Sequence, residues 1–141
     1  MRKTVLIVDD VAFVRKTLSA ILSENGFEVV GEAASGPDAI ELYQRLRPEL
    51  VTMDIVMPKM SGIEATRKIL KANPEAKVVM ISAMGQETLV MESIHAGARD
   101  YILKPFSAEE VVRTLSHCTE HGHAPGAGVL KHENEKEHKL G

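Results

Sequence analysis

Five short runs rich in Val, Ile, Leu and Met punctuate the chain, at residues 4–8, 28–34, 49–53, 77–82 and 99–103. The first and fourth are almost unbroken apolar stretches without alternation, the pattern of strands covered on both faces. The segments between them have helical spacing. Val14, Leu18, Ile21 and Leu22 fall at i, i+4, i+7 and i+8, and Gly26 follows as a stop. The second helix opens at Pro37, in the first-turn position proline favours, with Ile40, Tyr43 and Leu46 as its buried side. A third spans 61–72 with Ile63, Ile69 and Leu70 inward, and Asn73-Pro74 closes it. The fourth covers 86–96, leaves His95 on the surface and ends at Gly97. The fifth starts at Ser107, with Glu110 three residues on as a capping box, and buries Val111, Val112, Leu115 and Cys118.

Strand and helix therefore alternate five times. Parallel strands need crossover helices, and crossovers are nearly always right-handed, so the pattern predicts a doubly wound α/β sandwich. Ligands of such sheets sit outside the carboxyl ends of the strands. Residues 1–120 hold all ten elements. From about His121 the chain carries glycines, a proline and few large apolar residues, so 121–141 is expected to be a flexible tail, with 131–139 capable of a short exposed helix.

Composition narrows the function classes. The 141 residues fit one ordinary domain, 44% hydrophobic content suffices for a core, and 26% charge is normal for a solvated surface. A formal charge of −3 argues against a nucleic-acid binder. The apolar run at the N-terminus stops at Asp9, and no stretch reaches the roughly 20 residues a membrane span needs. A single cysteine excludes an internal disulfide framework and suits a reducing compartment. The expected location is the cytoplasm.

The strand ends carry the chemistry. Asp9 and Asp10 directly follow the first strand and Asp54 the third; Ser82 ends the fourth and Lys104 follows the fifth. Asp9 and Asp10 taken alone could simply cap the first helix. If the first and third strands are neighbours, three carboxylates share one crevice. Two such charges about 5 Å apart repel by roughly 3 kcal/mol at an effective dielectric near 20, so a proton or a cation must be shared. Hard oxygen ligands without a full cage suit Mg²⁺. A carboxylate beside a cation, a hydroxyl and the Lys104 ammonium can receive a phosphoryl group. A separate cluster, His117, Cys118, His121 and His123, has partial zinc-ligand spacing that Gly122 interrupts.

These residues carry a resemblance. The runs Val5-Leu6-Ile7-Val8-Asp9-Asp10, Met53-Asp54-Ile55-Val56-Met57-Pro58-Lys59-Met60-Ser61-Gly62, Ile81-Ser82-Ala83-Met84-Gly85 and Tyr101-Ile102-Leu103-Lys104-Pro105-Phe106 occur in the order and spacing of receiver domains of two-component response regulators. Within that family the chain is most similar to the stand-alone chemotaxis regulators of the CheY type, over about residues 3–118. The resemblance implies a flavodoxin-like (βα)5 fold with strand order 2-1-3-4-5 and a signalling switch rather than an enzyme. It implies Asp54 as phosphoacceptor from a sensor histidine kinase. It also implies one Mg²⁺ held by Asp10, Asp54 and the backbone carbonyl of Val56, with Asp9 acting directly or through water. Lys104 would pair with Asp54 and then with the phosphoryl oxygen, and Lys104–Pro105 would be cis.

By the same resemblance Ser82 moves toward the phosphoryl group and Tyr101 turns into the space it leaves, changing a partner face that includes Val90, Tyr101 and Leu103. The implied partner is a flagellar motor switch protein or other output protein, although Glu87 stands where some relatives carry a basic residue. Val56 and Met84 flank the phosphate position and neither can orient an attacking water, so slow self-hydrolysis and a separate phosphatase are expected. Two rivals remain. One is a phosphorelay intermediate that passes phosphate to a histidine phosphotransfer protein. The other is a phosphatase with an aspartyl nucleophile, which would want a second acid where Ile55, Val56 and Met57 stand.

Overall fold

The computed structural model describes residues 3–121, with Glu120 and His121 by their backbone alone. The expected alternation is present: β1 (Lys3–Val8), α1 (Ala12–Ser23), β2 (Phe27–Ala33), α2 (Gly36–Leu46), β3 (Leu50–Met53), α3 (Gly62–Ala72), β4 (Lys77–Ser82), α4 (Glu87–His95), β5 (Asp100–Leu103) and α5 (Ala108–His121). The five strands form one parallel sheet in the order β2-β1-β3-β4-β5.

Central and edge positions follow from composition. All four residues of β3 are buried, as are the last five of β4 and the last four of β1. In β2 only Phe27 and Ala33 are buried, which an edge strand with one solvated margin tolerates. Alternate side chains feed two cores. One lies under α2, α3 and α4 around Leu6, Val8, Val51, Met53, Val78 and Met80. The other lies under α1 and α5 around Val5, Ile7, Leu50, Val79, Ile81 and Ile102. Each fully buried aliphatic side chain contributes about 1.5–3 kcal/mol, so the inner strands anchor the sheet on both faces.

Helix boundaries have local causes. Ser35 caps α2, ahead of Pro37, by accepting from the Asp38 N–H; Ser61 caps α3 through Glu64 N–H at 3.2 Å. Ser107 accepts from Glu110 N–H at 3.1 Å, one half of the expected capping box. Gly26 and Gly97 turn the chain at φ +87 and +108, where an L side chain would be strained. The α1 cap is Val11, with no side-chain hydrogen bond, so neither Asp9 nor Asp10 is the helix cap that their position allowed.

The expected buried faces need correction at a few positions. Leu46 is 37% exposed: it is the last residue of α2, before the left-handed cap Arg47 at φ 45, and its side chain lies over Gly31 of the edge strand β2. Ile40, Leu70 and Val112 are only partly buried, packing against the margins of the two cores. The expectations for 121–141 fall outside the described residues, except that His121 closes α5. Among the described residues no helix is long and apolar enough to cross a membrane.

Candidate functional site

Strand register gathers the site. Val8 lies opposite Met53, so β1 and β3 release Asp9 and Asp54 side by side, and Asp54 N–H continues the ladder to Val8 carbonyl at 3.0 Å. On the other side Ser82 lies opposite Leu103, and Lys104 N–H donates to Ser82 carbonyl at 2.9 Å. The strands thus deliver Asp9, Asp54, Ser82 and Lys104 to one edge of the sheet.

Lys104 reaches back across that edge. Its Nζ lies 2.7 Å from Asp9 Oδ2 and 3.5 Å from Asp54 Oδ2. The second oxygens are also engaged: Asp9 Oδ1 accepts from Val11 N–H at 2.9 Å and Asp54 Oδ1 from Ile55 N–H at 2.8 Å. Burial lowers the Lys104 pKa, but the Asp9 hydrogen bond and both carboxylate charges outweigh it, and the net direction is upward. Asp54 is also raised, first by burial and then by the Asp9 charge, against the opposing pull of Lys104. One ammonium does not balance this crevice.

Carboxylate oxygens of Asp9, Asp10 and Asp54 lie within 4.8 Å of one another; Asp9 and Asp54 are buried and Asp10 faces solvent. The donor set is all hard oxygen, carries more negative charge than Lys104 offsets, and is open on the Asp10 side. Those features fit a hard, partly hydrated divalent cation.

Ser82 is 1% exposed, and its Oγ accepts from Met84 N–H at 3.2 Å. The Tyr101 hydroxyl donates to the carbonyl of the same Met84. The ring packs on the core under α4, and burial raises the phenol pKa while a hydrogen bond with Ser82 opposes it. Met84 is therefore held through both its N–H and its carbonyl. Val56 stands at the rim, 61% exposed. The Lys104–Pro105 peptide is cis. Leu103 is 50% exposed, whereas Val90 and Tyr101 are partly buried; these three lie outside the acidic crevice.

Sequence reasoning missed three residues. Arg15 donates from Nη1 to the Asp9 carbonyl at 2.7 Å and from Nε to Glu32 Oε1 at 3.1 Å. On a helix it looks like any solvated arginine. A Cβ at Gly62 would stand 1.7 Å from the Asp54 carbonyl oxygen, so only glycine lets α3 approach the Asp54 segment; its position in the Met53–Gly62 motif was the available signal. The Thr52 hydroxyl is buried without a hydrogen-bond partner among the described residues. Of the residues with partial zinc-ligand spacing, Cys118 is buried in the α5 face, and burial pushes its thiol up to about 11, which disfavours the thiolate a metal needs. The His121 side chain and His123 lie outside the described residues.

A 2-1-3-4-5 parallel sheet with acids, a hydroxyl and an ammonium at its carboxyl edge defines a receiver-type signalling domain. The family model for the response regulator receiver domain matches residues 5–116, and the chain belongs to that family as a two-component response regulator. It is 52% identical over 116 residues to the chemotaxis protein CheY of Thermotoga maritima, covering 82% of this chain and 97% of that relative. The CheY of Bacillus subtilis is 48% identical over the same length, with the same coverage. Among solved structures, the CheX–CheY–BeF3–Mg²⁺ complex from Borrelia burgdorferi matches with a TM-score of 0.81 and 37% identity, over 83% of this chain and 89% of that one.

Proposed function

We propose that this protein is a chemotaxis signalling switch whose phosphoacceptor is Asp54, loaded by a sensor histidine kinase. The observation that carries the reading is the convergence of Asp54 with Asp9, Asp10 and Lys104 at one strand edge. In the transfer, an Asp54 oxygen forms a new P–O bond as the P–N bond to the donor imidazole breaks. The imidazole nitrogen keeps the electron pair and takes a proton.

Asp9, Asp10, Asp54 and the Val56 backbone carbonyl are the proposed Mg²⁺ ligands. A bound Mg²⁺ supplies charge compensation for the phosphoryl oxygens. Lys104, already poised between two carboxylates, offers its ammonium to the same oxygens. Ser82 offers its hydroxyl, which requires it to release Met84 N–H; that movement passes to Tyr101, because Tyr101 holds the other end of Met84. The output face is then Val90, Tyr101 and Leu103, presented to a flagellar motor switch protein or other output protein. Residues 1–120 form the receiver and 121–141 the tail, in the cytoplasm.

Val56 and Met84 bear no group that could orient water, which supports slow self-dephosphorylation and a separate phosphatase. The Borrelia relative forms a complex with CheX in the presence of BeF3 and Mg²⁺, in keeping with a second protein engaging the activated form. Labelling with acetyl phosphate tests the core of the proposal: Asp54→Ala and chelation of divalent ions should each abolish incorporation, and undiminished labelling in either case overturns it. A pull-down with and without beryllofluoride separates the outputs. Capture of a histidine phosphotransfer protein in place of a motor component would favour the relay reading.

A further inference from the structure

The Asp9–Asp10 turn is held from outside the acidic crevice. Asp9 N–H pairs with Ala33 carbonyl at 3.0 Å, so the β1–β2 ladder reaches it, but its carbonyl points beyond the last strand pair. The guanidinium of Arg15, one turn into α1, supplies the donor for that carbonyl at 2.7 Å. The same fork is anchored by Glu32 near the end of β2 at 3.1 Å, and the Arg15 side chain is only 19% exposed. The carbonyl of Asp9 and the N–H of Asp10 belong to one rigid peptide plane. A donor that fixes the carbonyl therefore fixes the direction in which Asp10 leaves the strand.

Asp10 is the exposed member of the three acids, and no hydrogen bond to its own carboxylate is seen among the described residues. Its orientation must come from the backbone. We propose that Arg15, tethered by Glu32, is a positioning residue that preorganises the Asp9–Asp10 peptide so that Asp10 joins Asp9 and Asp54 in holding the divalent cation. Its positive charge also lies on the carbonyl side of the acids, where it offsets part of their repulsion without competing for the carboxylate oxygens. The inference rests on the proposed Mg²⁺ site. It predicts that Arg15 acts on cation affinity and not on the phosphoryl-transfer step.

Calorimetric titration of Mg²⁺ into the full chain, alongside acetyl phosphate phosphorylation at graded Mg²⁺, tests it. Arg15→Met should weaken Mg²⁺ binding at least fivefold and raise the Mg²⁺ concentration for half-maximal phosphorylation by the same factor. The maximal rate at saturating Mg²⁺ should stay within twofold. Arg15→Lys, which keeps the charge and one donor, should recover most of the affinity, and Glu32→Gln should lose about twofold to threefold. Mg²⁺ affinity within twofold of wild type in Arg15→Met overturns the proposal, as does a fall in maximal rate at unchanged affinity. If Arg15→Met does not fold, Mg²⁺ affinity in Glu32→Gln indistinguishable from wild type overturns it. A wild-type chain that binds no Mg²⁺ would sink the metal-site reading itself, which is a different result from an indifferent Arg15.

Discussion

Neutralising Asp54, the proposed phosphoacceptor, should make the metal-free protein more stable. At an effective dielectric near 20, charges 4.8 Å apart interact by about 3.5 kcal/mol and charges 3.5 Å apart by about 4.7 kcal/mol. Before solvent screening, Asp54→Asn removes two repulsions of at least the first size, from Asp9 and Asp10, and one attraction of the second, to Lys104. Water screens the exposed Asp10, so the net relief is about 0.5–2 kcal/mol. The Asn carbonyl can still accept from Ile55 N–H, and Lys104 keeps its shorter bond to Asp9. Urea unfolding followed by far-UV circular dichroism, at low salt with chelator, measures the difference. Excess Mg²⁺ should narrow or reverse it, because a ligand that binds only the folded state adds about 1.4 kcal/mol for each tenfold excess over its Kd. The pH dependence has a definite sign. The folded pKa of Asp54 is raised, so its contribution to stability is fully present below the ordinary carboxylate range and is lost as pH climbs through the raised value. Asp54→Asn should lack that slope. A metal-free variant less stable than wild type, or one that keeps the slope, would refute the reasoning.

Thr52→Val removes a buried hydroxyl that has no partner among the described residues and should gain about 1 kcal/mol in urea unfolding; a loss of stability would show that the hydroxyl is satisfied in solution. Gly62→Ala drives a Cβ into the Asp54 carbonyl and should cost at least about 3 kcal/mol or prevent folding, read by thermal melting. Val56→Asn places an amide at the rim of the phosphate position and should shorten the phosphoaspartate lifetime several-fold, followed by release of radiolabelled phosphate. An intrinsic lifetime of only a few seconds in wild type would contradict the slow hydrolysis expected from Val56 and Met84.

The elements were readable because their signals are local. An apolar run without alternation marks a strand buried on both faces, and β4 matches its expected span. Serines at 35, 61 and 107 lie just before their helices and cap them as their chemistry allows. The misses are where long-range packing decides. Leu46 obeys the helical period of α2 yet is its last residue, where its side chain reaches Gly31 of the edge strand β2 and stays partly open to solvent. Ile40 and Leu70 share a face with buried neighbours but reach only the core margin. Periodicity gives the direction of a side chain; it says nothing about how far the opposing layer extends.

The acidic site was legible for a related reason. Asp9, Asp54, Ser82 and Lys104 each sit at the C-terminal end of a strand or one residue beyond it, and parallel strands bring all such ends to one edge. What the spacing could not supply is the allocation of partners within that edge. Lys104 sits closer to Asp9 than to Asp54, 2.7 against 3.5 Å, because the fully buried Asp9 has one oxygen turned toward β5 while its other takes Val11 N–H. That choice leaves Asp54 short of positive charge, and burial with the Asp9 repulsion then raises its pKa. On the proposed reading Asp54 attacks phosphorus as the ionised carboxylate, and a cation held among the three acids would offset the repulsion that their crowding creates. The electrostatic cost borne by the metal-free fold would then link the proposed phosphorylation to the divalent ion.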